Sequence, residues 1–435
     1  MWICQQCGED IEDSFLICWN CGTSSEGIRD PEFHKADVDD IATLPTTEAK
    51  PWQYSLRTLL VVLTVLCLGM MWQGNKLRRQ WAAEAALEAA RQMKLEAQVA
   101  ATEAIDIFLK LGGRPVDQTF VNLAGTEITD DGLEHVKRLT WLVYLDLANT
   151  EVTDAGLMHL KGLTKLGWLN VSDTEVTDAG LLHVRGSTNL SKLELSGTQI
   201  TDAGLEHLIG LTKLHTLDLR GTQITDAGLE HLKGLTKLGS LTVGDTQITD
   251  AGLKHLENLA NLHTLILGAT QITDDGLVHI KRLTGLGYLG LANTEVTDAG
   301  LLHVKGSTNL SKLNLSGTQI TDAGLEHLKG LTKLGSLNVG DTQITDAGLK
   351  NLENLTNLHW LILGATQITD DGLVHIKRLT GLGFLVLSNT EISDSGVEHL
   401  DGLINLKSVF LGDTQITKEG IKKLQKALPM CDLVF

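Results

Sequence analysis

Two cysteine pairs near the start of the chain, Cys4-x-x-Cys7-Gly8 and Cys18-x-x-Cys21-Gly22, have the residue types and spacing for metal chemistry. Four thiolates on two knuckles close a tetrahedral zinc site with no open position, so the ion would hold structure and would not catalyse. The glycine after each second cysteine suits the tight turn that aims backbone N–H groups at sulfur. Little core surrounds the pairs beyond Trp2, Ile11, Phe15 and Trp19, and zinc binding of roughly 10–16 kcal/mol would supply the missing stability. Two disulfides are the other arrangement that the cysteines permit. Residues 1–50 carry eleven acidic and three basic side chains, net −8, a charge that repels nucleic acid.

Histidine is the second candidate. It recurs at 135, 159, 183, 207, 231, 255, 279, 303, 327, 375 and 399, with Asn351 interrupting the column. Packed helices lie about 8–10 Å apart, whereas a shared zinc needs each nitrogen within about 2.0–2.1 Å. The column is therefore read as partly exposed side chains bonding the neighbouring turn, with a pH response as the alternative. His215, His263 and His359 fall beside strands, separated by two and four units, and are expected not to share a site. No Ser-His-Asp set or phosphate loop stands out, so no catalytic residue is assigned and no enzyme is expected.

What must position these residues is a repeat. From Thr126 onward the phrase Thr-x-Ile/Val-Thr/Ser-Asp-x-Gly-Leu-x-His-Leu returns every 24 residues, in thirteen units beginning at Phe120, with Asp432 to Phe435 starting a fourteenth strand. A fixed period makes each unit one turn of a solenoid. In the unit Tyr144 to Gly167, Leu145 and Leu147 alternate as in a strand, and Val152, Leu157, Leu160, Leu163 and Leu166 follow a helical spacing. One unit cannot bury these side chains alone; stacking covers them and pairs the strands in a parallel sheet. Thr150 and its equivalents, Thr126 through Thr414, are placed to bridge backbone groups where the chain leaves the strand. Thr153-Asp154 reads as a helix N-cap with its favourable negative charge. Asp fills that column in twelve units until Lys418 breaks it. Gly156 and its counterparts allow a close approach or a positive φ. Ser187 and Ser307 replace leucine and predict looser turns. Ser240 to Gly287 returns almost unchanged as Ser336 to Gly383, so near-identity between units reflects block duplication and does not mark need.

On these residues the chain resembles the leucine-rich repeat family, in a bacterial 24-residue form with threonine where the common pattern has asparagine. The resemblance implies an α/β solenoid: a horseshoe with its parallel sheet on the concave face, short helices on the convex face, and a role in binding other macromolecules.

Between the cysteines and the repeats, Thr58 to Asn75 is free of charge for eighteen residues. As helix these are about 27 Å long, just enough to span the apolar part of a bilayer, with the apolar run Leu59 to Trp72 inside and Trp52, Tyr54 and Trp72 at the interfaces. The expected order is a zinc ribbon over 1–22, an acidic flexible linker over 23–55, a transmembrane helix over 56–75, a helical stalk over 76–111, and the repeat domain over 115–435. Lys76, Arg78 and Arg79 after the span argue for a cytoplasmic repeat domain by charge. Reduced thiolates argue for a cytoplasmic N-terminus instead, and this arrangement, with the repeats outside, is the one expected.

The repeat domain carries net −13, which again disfavours nucleic acid. Units differ most at the strand positions that face outward, which hold Tyr144, Trp168, Tyr288, Trp360 and Phe384. Tyr144 with Trp168, and Trp360 with Phe384, stand in neighbouring strands, the two pairs roughly 40 Å apart at ~4.8 Å per strand. Such aromatics suit the anchoring of an extended protein or glycan ligand; the other reading is that the rings only cover neighbouring strands. The reading is a membrane-anchored, non-catalytic protein-binding scaffold with a structural zinc. The alternatives are a cytosolic substrate-recruiting adaptor resembling ubiquitin-ligase repeat proteins, and an envelope adhesive that binds glycan.

Overall fold

The computed structural model describes residues 2–3, 10–11 and 119–435. Trp2–Ile3 pairs antiparallel with Asp10–Ile11. The four cysteines assigned to zinc, Cys4, Cys7, Cys18 and Cys21, lie outside the described residues, as do the linker, the apolar span and the stalk. Among the described residues no helix is long and apolar enough to cross a membrane.

Each repeat runs strand, turn, short helix and return. Fourteen strands of three residues, from Phe120–Asn122 to Asp432–Val434, form one parallel sheet in strictly sequential order. Register advances by a whole repeat at every step, so Tyr144 lies against Trp168, Leu145 against Leu169 and Asp146 against Asn170. The helices, such as Asp154–Leu157 and Asp178–Val184, make up the opposite side. Leu145, Leu147, Val152, Leu157, Leu160, Leu163 and Leu166 are all fully buried between the two layers. Each contributes at most ~1.5–3 kcal/mol, and only when a repeat on either side completes its surroundings.

The turn leaving the strand is fixed by backbone conformation. The residue before the threonine column has φ between 52° and 67° at all thirteen positions from Gly125 to Asp413. Its amide donates across to the next repeat, as from Asn149 N–H to the Ser172 carbonyl at 2.9 Å. Thr150 Oγ1 donates back to the Leu147 carbonyl at 2.6 Å, and the same bond recurs in every unit. Most units satisfy the left-handed position with Gly, Asn or Asp, which tolerate it. Ala269 and Ala365, both at φ 55°, do not have that excuse.

As expected, the Thr-Asp pair opens the helix with the acidic residue in its first turn, but the capping bond comes from the threonine and not from the aspartate. Thr153 is the cap residue, its hydroxyl accepting from Ala155 N–H at 3.3 Å. Asp154 instead reaches into the following repeat. Its Oδ1 accepts from Thr177 N–H at 2.7 Å and its Oδ2 from the Thr177 hydroxyl at 2.6 Å. All twelve aspartates from Asp130 to Asp394 make this pair of bonds. The glycine column follows from the same contact: a β-carbon at Gly228 would collide with Oδ1 of Asp202 in the repeat before. Positive φ belongs to the turn and not to these glycines.

The turns at Ser187 and Ser307 are no looser than their neighbours. Both serines are buried, and Ser187 N–H donates to the Val184 carbonyl at 2.9 Å, matching Leu163 N–H to Leu160 at 2.9 Å. Backbone bonding, not side-chain volume, holds this corner. In the last unit Lys418 ends the aspartate column and the helix lengthens to Lys418–Ala427, which sets Leu424 and Leu428 over the final turn of core.

Two outcomes follow. Ala269→Gly and Ala365→Gly should each raise stability by about 0.5–1 kcal/mol, because the left-handed cost exceeds glycine's entropic one; a higher urea midpoint checks this. Asp202→Ala should cost about 1–3 kcal/mol by stripping Thr225 of its acceptor. Gly228→Ala should cost a comparable amount, and the double variant clearly less than both together, since each breaks the same contact. Additivity within about 0.5 kcal/mol would refute the shared contact.

Candidate functional site

Strand residues alternate in direction, so the second residue of each strand enters the core and the first and third face outward. The first-residue column brings the aromatics together as the register dictates. Phe120 joins Tyr144 and Trp168 in a cluster with ring centroids 6.1–6.3 Å apart, Phe120 stacked on Trp168 and Tyr144 edge-on to it. Tyr144 is 42% exposed and Phe120 47%. Lys192 Nζ lies 4.9 Å from the Trp168 ring centroid, within cation–π range, and also pairs with Glu194 at 2.7 Å. Trp168 Nε1–H is buried with no acceptor.

At the other end Trp360, 51% exposed, stacks on Phe384 at 4.2 Å, and Phe384 meets Phe410 at 5.0 Å. Ile362 and Val386 pair beside them in the third-residue column. Sequence reading found Tyr144, Trp168, Trp360 and Phe384 and missed the third ring of each cluster. Phe120 was legible, being in the same column one period earlier. Phe410 was not, because it occupies the third strand position and reaches Phe384 diagonally. Tyr288 stands between Thr264 and Lys312 without an aromatic partner among the described residues.

The third-residue column is graded. Asp146, Glu194 and Asp218 occupy its amino-terminal half, with Asp218 held by Arg220 at 2.7 Å. Ile266, Ile362, Val386 and Phe410 occupy the carboxyl-terminal half. One end of the face thus offers aromatics beside carboxylates, and the other a continuous apolar patch.

On the helical side the histidine column is half-buried. Two members find carboxylates in the preceding repeat, His279 Nδ1 at 2.6 Å from Glu257 Oε1 and His375 Nδ1 at 2.7 Å from Glu353 Oε1. The hydrogen bond from the imidazole holds each glutamate below the usual carboxylate range. Asp394 is likewise lowered, first by the Thr417 hydroxyl and then by its amide. Asn351, which breaks the column, donates to the Asp322 carbonyl at 3.1 Å. No group of three or more His, Cys, Asp or Glu converges as a metal site among the described residues. Cys431 is buried and its thiol is pushed up by that burial, so it is not a ready nucleophile.

One expectation is overturned. His215 and His263, two units apart, do meet: their Nε2 atoms are 3.2 Å apart and their ring centroids 5.3 Å. His359 does not join them, lying beside Gly335 two strands further on from Ser311.

The family description "Leucine Rich repeats (2 copies)" matches residues 188–234, and "Leucine Rich repeat" matches 138–161, 306–329 and 330–352. No curated protein matches the chain. Among solved structures, an internalin (inlF) from Listeria monocytogenes is similar at 29% identity and a TM-score of 0.59, over 77% of this chain and 94% of that one. A leucine-rich repeat protein of Leptospira interrogans is similar in fold at 22% identity and a TM-score of 0.51, over 69% of this chain and 80% of that one.

The lowered carboxylates predict an acid limit. Glu257, Glu353 and Asp394 bind protons less readily folded than unfolded, so their stabilisation is complete above the ordinary carboxylate range and lost as pH falls through their folded values. The thermal midpoint should change little between about pH 7 and 5 and fall below about pH 4. Glu257→Gln combined with Glu353→Gln should make that acid decline shallower.

Proposed function

We propose that this leucine-rich repeat protein is a non-catalytic scaffold that captures a protein ligand on the open face of its sheet, anchored by the two aromatic clusters. The observation that carries this is the placement of Phe120, Tyr144 and Trp168 at one end, and Trp360, Phe384 and Phe410 at the other, on a single outward face. Rigid aromatic rings with exposed flanks are the side chains that dominate binding energy at protein interfaces. Separation of roughly 40 Å across eight strand spacings suits an extended partner that touches both clusters.

The uncharged stretch Thr58 to Asn75 supports a single membrane span, and the Cys4, Cys7, Cys18 and Cys21 spacing supports a structural zinc ribbon as a second interaction module. In this reading the ribbon faces the reducing cytoplasm and the repeats lie outside. The net negative charge of both parts keeps nucleic acid from competing for either.

Cross-linking of the full-length protein in intact cells, followed by recovery of the partner, tests both halves. Trp168→Ala and Trp360→Ala should each reduce capture by about tenfold or more, in keeping with losses of about 2 kcal/mol at anchor residues. Lys161→Ala, on the exposed helical side, should leave it unchanged. Capture that is equal in both tryptophan variants and wild type removes these rings as anchors. External protease should digest the repeats of intact cells; full protection would place them in the cytoplasm.

A further inference from the structure

The column immediately before the strands reads His215, Gly239, His263 in the middle of the array. Strands lie about 4.8 Å apart, so equivalent positions two strands apart are separated by roughly 10 Å. Two imidazoles leaning toward one another can close that gap only if the intervening residue has no side chain. Gly239 meets this condition: a β-carbon there would stand 2.7 Å from Nε2 of both His215 and His263. The result is the 3.2 Å approach of the two Nε2 atoms.

The outer nitrogens are also held. His215 Nδ1 lies 3.1 Å from the Lys237 carbonyl oxygen. A carbonyl can only accept, so this nitrogen carries the proton and Nε2 presents its lone pair. His263 Nδ1 lies 3.2 Å from Thr264 Oγ1, a hydroxyl that can donate or accept. Both rings are exposed, so the lone pairs are open to ions in solution.

Two nitrogens at about 2.0–2.1 Å from one ion, subtending a tetrahedral angle, are about 3.3 Å apart. The observed Nε2 separation of 3.2 Å is that of a chelating pair. Outer N–H groups bonded to a carbonyl and a hydroxyl are the second contacts that orient metal-bound imidazoles. We propose that His215 and His263 form a two-imidazole chelate for a divalent transition ion of the zinc and nickel class, on the margin of the sheet. The remaining coordination positions face solvent and take water or a donor from a docked partner. Without the ion, His263 Nε2–H donates to His215 Nε2 while the Thr264 hydroxyl donates to His263 Nδ1. On binding, Nε2 releases its proton and Nδ1 takes one up, now donating to Thr264 Oγ1, so the ring remains neutral.

The site uses no cysteine, and among the described residues it occurs once. His359 has glycine on both sides, Gly335 and Gly383, but the residues two strands away are Ser311 and Lys407. That histidine serves as an internal control.

The test is a calorimetric titration of the full-length protein with Ni(II), after saturation of the cysteines with zinc and removal of the excess. Wild type should bind one Ni(II) more tightly than any other. His215→Ala and His263→Ala should each weaken that site by about tenfold or more. Gly239→Ala should do the same with both histidines present, and His359→Ala should have no effect. Circular dichroism matched to wild type confirms folding of these surface variants. Equal nickel affinity in wild type, His215→Ala and His263→Ala overturns the proposal, as does unchanged binding in Gly239→Ala.

Discussion

The contact on which the rest depends is the paired hydrogen bond from one repeat's aspartate to the next repeat's threonine. A parallel sheet of three-residue strands ties neighbouring units along one side only. The helices opposite are as short as four or five residues, too short to hold themselves. Asp154 and its equivalents close that open side by accepting both the amide and the hydroxyl of the following cap threonine. The bond is local to each junction, yet repeated at every one, so the stack is fastened at sheet and helices alike. A repeat displaced from this ladder would expose its leucines and leave a cap amide without a partner.

Fastening both sides within the interior bonds has a consequence for function. The outward strand residues do not set register, which buried leucines, backbone bonds and the aspartate ladder fix, although Asp146, Asn170, Asp218, Asn314 and Asn338 in the third column each accept from the turn amide two residues on. They are free to vary, and do: carboxylates in the amino-terminal half give way to Ile362, Val386 and Phe410 in the other. The two aromatic clusters and the His215–His263 contact both lie where the repeat pattern makes no demand. Here variation is the informative signal, whereas the constant columns concern folding.

Much of the fold is legible in the sequence because a 24-residue period permits one stacking solution. Strand starts at Tyr144, Trp168 and Trp360, and the inward direction of Leu145 and Leu147, follow from it. The candidate face was legible in part. Same-column neighbours such as Tyr144 and Trp168 could be paired from spacing alone, while Phe410 reaches Phe384 across columns and could not. The bonds of the aspartates to the next repeat escaped for a related reason. A Thr-Asp pair before a helix suits capping by either residue, and nothing in one repeat reveals that the carboxylate points to the next.

The sequence by itself determined the period, the buried leucines, the parallel order of strands and the columns left free to vary. These are set by chain connectivity and by which side chains leave water. The tertiary structure alone decided where side chains reach across repeats: Asp154 to Thr177, the glycine column shaped around those carboxylates, and His215 to His263 over Gly239. Such contacts depend on distances of a few ångströms between side chains that are 23 or 48 residues apart in the chain. Periodicity places their backbones, and only packing in three dimensions decides which atoms meet.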